Sequence, residues 1–181
     1  VLGDYLDALD AAFVAVPPSD HFRVAEAVIR RGVPAFLEWP PAASVPECAT
    51  LVDVAEEAGV EVGVSQPLRV HPAVAALPPD RRAALILVRR EVVFPDAAAP
   101  PWSRWLAETL DLCCTLAQSH SVQRVDVEAV RRTSAWPVVV AFGLRFHSGT
   151  YAQVSLRPAE GAPRGTLFVA DSEGEHEIDL T

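Results

Sequence analysis

The sequence predicts two successive folds in one chain. The first is an incomplete, doubly wound parallel α/β sheet over residues 1–77; the second is an α+β unit on a predominantly antiparallel sheet over 78–181. Three observations carry this. Short apolar runs at 11–16, 34–38 and 60–64 alternate with helix-like segments, the pattern of parallel strands joined by right-handed crossovers. Pro78-Pro79-Asp80 then breaks the alternation. Beyond it, strand-like segments follow one another around a single long helix. Apolar and polar residues roughly alternate through 151–156, as expected of a sheet with one packed and one open face.

Each element has its own local cause. Residues 11–16 end at Pro17-Pro18 and read as a buried strand. Ser19 is placed to cap a helix over 20–31, which Gly32 closes. Residues 34–38 form the next strand. Ser44-Val45-Pro46-Glu47 has capping-box spacing, with proline in the first turn where its missing N–H costs little. Val45, Cys48, Leu51, Val52 and Ala55 then line one face of a helix that ends at Gly59. Residues 60–64 give a third strand and 69–76 a short helix, and the parallel sheet is expected to be covered on both faces. After the break come a strand at 83–93, a Pro-rich loop and a helix at 103–117. Strands follow near 122–131, 138–146, 151–157, 166–170 and 175–180.

Composition narrows the function classes. Half the chain is apolar and 22% is charged, which is globular rather than disordered. A net charge of −9 argues against a nucleic-acid partner, because backbone binding needs Lys and Arg contacts to phosphate. No apolar run reaches the roughly 20 residues of a spanning helix, and the N-terminus has no signal-peptide pattern. The expected setting is cytoplasmic, away from membranes. Cys48, Cys113 and Cys114 lack CxxC spacing and read as reduced packing residues, and the five histidines lack ligand spacing, so no metal site is expected. Trp102 and Trp105, flanking the helix start, read as packing anchors. Lysine does not occur; all fifteen basic residues are arginine.

Three ordered blocks resemble one enzyme family. Residues 10–21, Asp-Ala-Ala-Phe-Val-Ala-Val-Pro-Pro-Ser-Asp-His, look like the strand and Pro-Pro-x-x-His turn of the Gfo/Idh/MocA oxidoreductases. Residues 32–40, Gly-Val-Pro-Ala-Phe-Leu-Glu-Trp-Pro, sit where that family has a strand ending in Glu-Lys-Pro. Residues 60–72 resemble its Gly-x-Asn-x-Arg-x-x-Pro block, and 166–179 more weakly resemble its last strands. The resemblance implies a Rossmann-like domain joined to a sheet domain that makes a homodimer, NAD or NADP as cofactor, and a sugar-like or cyclic hydroxyl substrate. The family's GxGxxG phosphate turn does not occur in this sequence, which begins near the family's third strand, so that either the protein extends upstream or the site is truncated.

Carried over residue by residue, the resemblance implies cofactor contacts at Pro17, Pro18, His21, Glu38, Pro40 and Arg69. At the catalytic positions the chain departs from the family. Trp39 stands where the lysine belongs, and indole offers one N–H donor, no basic nitrogen and no charge. In the second-domain His-x-x-Asp pattern Glu108 replaces the histidine and Asp111 is retained. Two carboxylates one turn apart can share a proton, or can simply form a solvated helix face. Pro67 fills the place of the amide residue in the third block. Three functions therefore stand open: a catalytically degenerate oxidoreductase homologue, an active dehydrogenase using Glu108 and Asp111, or a regulatory ligand-binding protein.

Overall fold

The computed structural model describes residues 8–93, 102–131, 137–159 and 161–181. The chain divides into two compact units, Val1–Gln66 and Pro67–Thr181. The boundary thus falls just after the third apolar run rather than at the Pro-Pro break. Leu68, Val74 and Leu77 pack into the core of the second unit, and this draws the intervening segment with them.

The first unit contains β1 (Ala12–Val14), α1 (Pro18–Ile29), β2 (Ala35–Leu37), α2 (Val45–Ala58) and β3 (Val62–Val64). The strands are parallel, in the order β1-β2-β3, with Val14 beside Leu37 and Leu37 beside Val64. Helix α1 starts at Pro18, two positions before the start that a Ser19 cap would set. Pro18 occupies the first turn, Pro17 precedes it, and no side chain caps the end. The fixed φ of proline favours helix initiation at that point. Helix α2 forms as its sequence predicts. Ser44 Oγ accepts from the Glu47 N–H at 3.4 Å, Glu47 Oε2 accepts from the Ala43 N–H at 3.0 Å, and Gly59 closes the helix at φ 66°. Its buried stripe is Leu51 and Val54, with Cys48, Ala55 and Ala58 beside them. Val45 and Val52 are exposed instead, since Val52 lies about 100° around the helix from its neighbour Leu51.

Both helices cover the same face of the sheet, over Val14, Ala35 and Leu37. Two right-handed crossovers stepping in one direction leave no other choice. The opposite face was expected to be covered too. Among the described residues it carries Phe13 and Phe36, 66% and 45% exposed, stacked with ring centroids 5.7 Å apart. Phe36 lies over Gly63, where an added Cβ would stand 2.8 Å from the ring.

The second unit holds a short helix α3 (Pro72–Ala75), then β4 (Leu85–Val92), α4 (Trp102–Leu116), β5 (Val122–Arg131), β6 (Pro137–Phe146), β7 (Tyr151–Pro158), β8 (Arg164–Ala170) and β9 (Glu175–Asp179). The sheet order is β5-β6-β7-β4-β8-β9, antiparallel throughout except for β4 against β7. Strict alternation sorts its faces. Ile86, Val88 and Val92 of β4 share one face with Ala152, Val154 and Leu156 of β7 and with Leu167 and Val169 of β8. Leu112, Cys113 and Ala117 complete that core from α4 and the residue after it. The other face presents Leu87, Arg89 and Glu91 beside Gln153, Ser155 and Arg157.

Candidate functional site

In the first unit, the expected contact residues gather at the carboxyl ends of the parallel strands. Such ends are where open α/β sheets take ligands. Strand β1 runs out at Val14 into Pro17 and Pro18; β2 runs out at Leu37 into Glu38, Trp39 and Pro40. The Glu38 N–H donates to the Val14 carbonyl at 2.9 Å, so the pairing of β1 and β2 continues one step into the turn. Glu38 is exposed and Trp39 and Pro40 are half-buried. The Trp39–Pro40 peptide is cis. Trp39 Nε1 is buried without a hydrogen-bond partner.

His21, expected at a cofactor, is 2% exposed. Its Nδ1 lies 2.5 Å from the Pro40 carbonyl oxygen and its Nε2 3.2 Å from that of Val14. Both ring nitrogens are therefore engaged inside the unit, and a neutral ring can donate to only one of the two carbonyls at a time.

The expected acid/base residues lie in the second unit, on α4. There Glu108 and Asp111 face different partners instead of sharing a proton. Glu108 is 4% exposed, and its Oε2 accepts from Nη1 and Nη2 of Arg90 on β4, each at 3.3 Å. Arg90 Nη1 also donates to Thr109 Oγ1 at 3.1 Å, and Thr109 in turn donates to the Trp105 carbonyl at 2.7 Å. Both Arg90 and Arg104 lie against the Trp105 ring, at 5.1 and 5.7 Å from its centroid, and Arg104 Nε is 3.8 Å from Glu108 Oε1. Burial lowers the Arg90 pKa, while the adjacent Glu108 charge opposes the shift. Asp111 is claimed by Arg69: Oδ2 accepts from Nε at 2.6 Å and Oδ1 from Nη2 at 2.5 Å. This two-bond fork is the strong form of an arginine–carboxylate contact. Trp105 packs against the core as expected; the side chain of Trp102 lies outside the described residues.

Arg90 is the residue that sequence reasoning missed. The signal was present, since Arg90 shares strand parity with Ile86, Val88 and Val92. An arginine in the buried register of a strand requires a counter-charge.

The three cysteines are free. Burial raises the Cys113 thiol to about 12, and it also raises those of Cys48 and Cys114. A thiol held neutral by burial is a weak nucleophile.

The donor set at the strand ends does not fit a pyrophosphate. Pro17 and Pro18 have no N–H, and the Asp20 N–H is already given to the Pro17 carbonyl at 2.8 Å. What remains for ligand hydroxyls is the exposed carboxylate of Glu38, beside a Trp39 indole N–H that is buried and has no partner among the described residues.

Fold and strand-end arrangement together define a class. Residues 2–66 match the model of the Gfo/Idh/MocA family, described as an oxidoreductase family with an NAD-binding Rossmann fold. Among particular relatives, the UDP-N-acetylglucosamine 3-dehydrogenase of Acidithiobacillus ferrooxidans is 33% identical over 72 residues, covering 40% of this chain and 23% of that protein. A solved structure of that enzyme superposes with a TM-score of 0.87 at 21% identity, over 99% of this chain and 58% of the other. The WlbA dehydrogenase from Bordetella pertussis, solved with NADH and UDP-GlcNAcA, gives 0.76 at 19%, over 99% and 63%. The structural likeness is one of fold, and the chain spans less than two thirds of the length of these relatives. The parallel sheet followed by a mostly antiparallel one is the architecture that the resemblance implied.

Proposed function

We propose that this chain is a catalytically degenerate Gfo/Idh/MocA-type oxidoreductase homologue whose remaining capacity is to bind a nucleotide-sugar or other polyhydroxylated ligand. One observation carries the reading. At the end of β2, where the resemblance places a lysine, the chain offers the half-buried indole of Trp39. Oxidation of a hydroxyl transfers a hydride to nicotinamide and a proton to a base. Indole can donate a hydrogen bond to the hydroxyl oxygen but cannot take its proton. The carboxylates on α4 do not replace that base, because Glu108 neutralises Arg90 and Asp111 neutralises Arg69.

NAD or NADP, where bound, supplies the hydride acceptor. The backbone donors that hold its pyrophosphate are not among the described residues. The nucleotide-sugar class is taken from the relatives, and the exposed Glu38 carboxylate suits ligand hydroxyls. A second copy is the partner proposed for the second unit. Its uncovered sheet face holds a shallow trough of about 1090 Å³ lined by residues such as Arg89, Gln153, Ser155, Arg157 and Thr166. Free cysteines are in keeping with a cytoplasmic setting. No helix among the described residues is long and apolar enough to cross a membrane.

The test is turnover. With NAD+ or NADP+ in excess and UDP-N-acetylglucosamine or myo-inositol as substrate, no absorbance should develop at the wavelength of the reduced nicotinamide. Trp39→Lys should not restore it, because catalytic groups act as a unit. Calorimetry should find neither dinucleotide bound at sub-micromolar affinity. Wild-type turnover that drops on the order of 10²-fold in Glu108→Gln would sink the proposal and assign the chemistry to the carboxylates. Light scattering at tens of micromolar should find a dimer, and a monomer rules out the sheet-face contact.

A further inference from the structure

We propose that His21 is a positioning residue for the Trp39 turn rather than a ligand contact. This rests on the reading of that turn as the binding site, but on none of its chemistry.

Three features of the geometry lead there. First, the ring is sequestered at 2% exposure, so a ligand arriving at the strand ends does not meet it. Second, its two nitrogens address carbonyls far apart in sequence, Val14 seven residues back and Pro40 nineteen residues on. One closes strand β1; the other belongs to the turn that follows β2 and carries Trp39. Third, the two carbonyls differ in what else holds them. The Val14 oxygen already accepts the Glu38 N–H and is fixed by the sheet, so the one N–H of a neutral ring serves the Pro40 carbonyl while the other ring edge rests against Val14. Pro40 has no N–H of its own and lies beyond the last rung of the β1–β2 ladder. Its carbonyl takes the shorter of the two contacts. The imidazole thus works as a strut from the fixed end of β1 to the turn, with α1 as its base.

An ordinary buried histidine would fill space between α1 and the sheet and finish its hydrogen bonds with whatever lay nearest. Here Ala25, one turn further along α1, fills the space toward the core and is fully buried. The ring's polar atoms are spent instead on the rim where Glu38 and Trp39 emerge. Removing the ring takes a donor from the Pro40 carbonyl and leaves the direction of the neighbouring indole unset.

The experiment uses the full chain labelled with 5-fluorotryptophan, which gives one ¹⁹F resonance per tryptophan, that of Trp39 being assigned by its loss in Trp39→Phe. In His21→Leu the Trp39 resonance should move and broaden while those of Trp102, Trp105 and Trp136 stay in place. In His21→Asn, whose side-chain amide keeps a donor near the Nδ1 position, it should return most of the way. A Trp39 resonance unmoved in His21→Leu makes the residue a packing group and overturns the proposal. So does an Asn variant that fails to rescue. Should the Leu variant not fold, wild type decides: ¹⁵N-labelled His21 should show scalar coupling from Nδ1–H to the Pro40 carbonyl carbon, and its absence is decisive against the strut. These signals are read without ligand. A protein that binds no nucleotide sugar leaves them intact, and a protein that binds one can still lack them.

Discussion

The two units bury a polar side chain in opposite ways. In the first, His21 is satisfied by backbone carbonyls at the strand ends, inside a sheet whose strands are three residues long. In the second, Arg90 and Glu108 are charged groups that meet between an eight-residue strand and a fifteen-residue helix. The difference lies in what removal leaves behind. A carbonyl deprived of one donor can find water at a rim, whereas an arginine deprived of its carboxylate under a helix cannot. The first arrangement suits a site that must hold a turn in place; the second locks an element to a sheet.

The largest effect should come from breaking the charge pair. Glu108→Ala leaves Arg90 buried and uncompensated and should cost about 3–5 kcal/mol in denaturant titration. The paired change Arg90→Met with Glu108→Leu should fall within about 1 kcal/mol of wild type or above it. If the two costs match, the pair is not the lock described here. An intermediate effect is expected from Thr150→Val, because the Thr150 hydroxyl donates to the Ala83 carbonyl in a fully buried setting. Its loss should cost about 1–3 kcal/mol, closer to the backbone-satisfied case. Ser44→Ala removes the cap of α2 and should cost about 1 kcal/mol, measured by the same titration.

The smallest effect sharpens the comparison through pH. Asp171 is held below the ordinary aspartate range, first by the Glu173 N–H and then by that of Gly174 and the Arg81 charge. A carboxyl depressed on folding adds stability above its unfolded pKa, and that stability is lost as pH falls through the folded value. The second unit should therefore weaken below about pH 4. Asp171→Asn should lower the midpoint near neutrality and flatten the acid limb, so that the variant and wild-type curves converge as pH falls.

Much of the fold was legible because its causes are local. The capping box at Ser44 and Glu47, the left-handed Gly59 and the alternation through residues 151–156 each act within a few residues, and each appears as read. What was not legible depends on partners distant in sequence. A three-residue spacing puts Glu108 and Asp111 near one another on α4, but it cannot say that Arg90 lies under one and that Arg69, 42 residues away, reaches the other. Likewise Pro17 and Pro18 announce a turn and His21 follows it. Only the parallel register of β1 and β2 brings Pro40 to the ring. Val45 and Val52 were placed on a buried face by periodicity that two alternative stripes satisfy; packing against α1 and the sheet selects the stripe through Leu51 and Val54.

Strand β5 has a consequence for handling the protein. It is an edge of the six-stranded sheet, and Val122, Val125, Val127 and Val130 all stand exposed along it. A long edge strand presents free backbone donors and acceptors, and a valine-rich one adds β-propensity, which together template strand addition between molecules. Arg124, Asp126 and Glu128 punctuate the row and act as gatekeepers. Their protection is electrostatic: acid neutralises two of the three, and salt screens them all. Concentrated stocks should therefore form fibrils at low pH and high ionic strength sooner than in dilute neutral buffer.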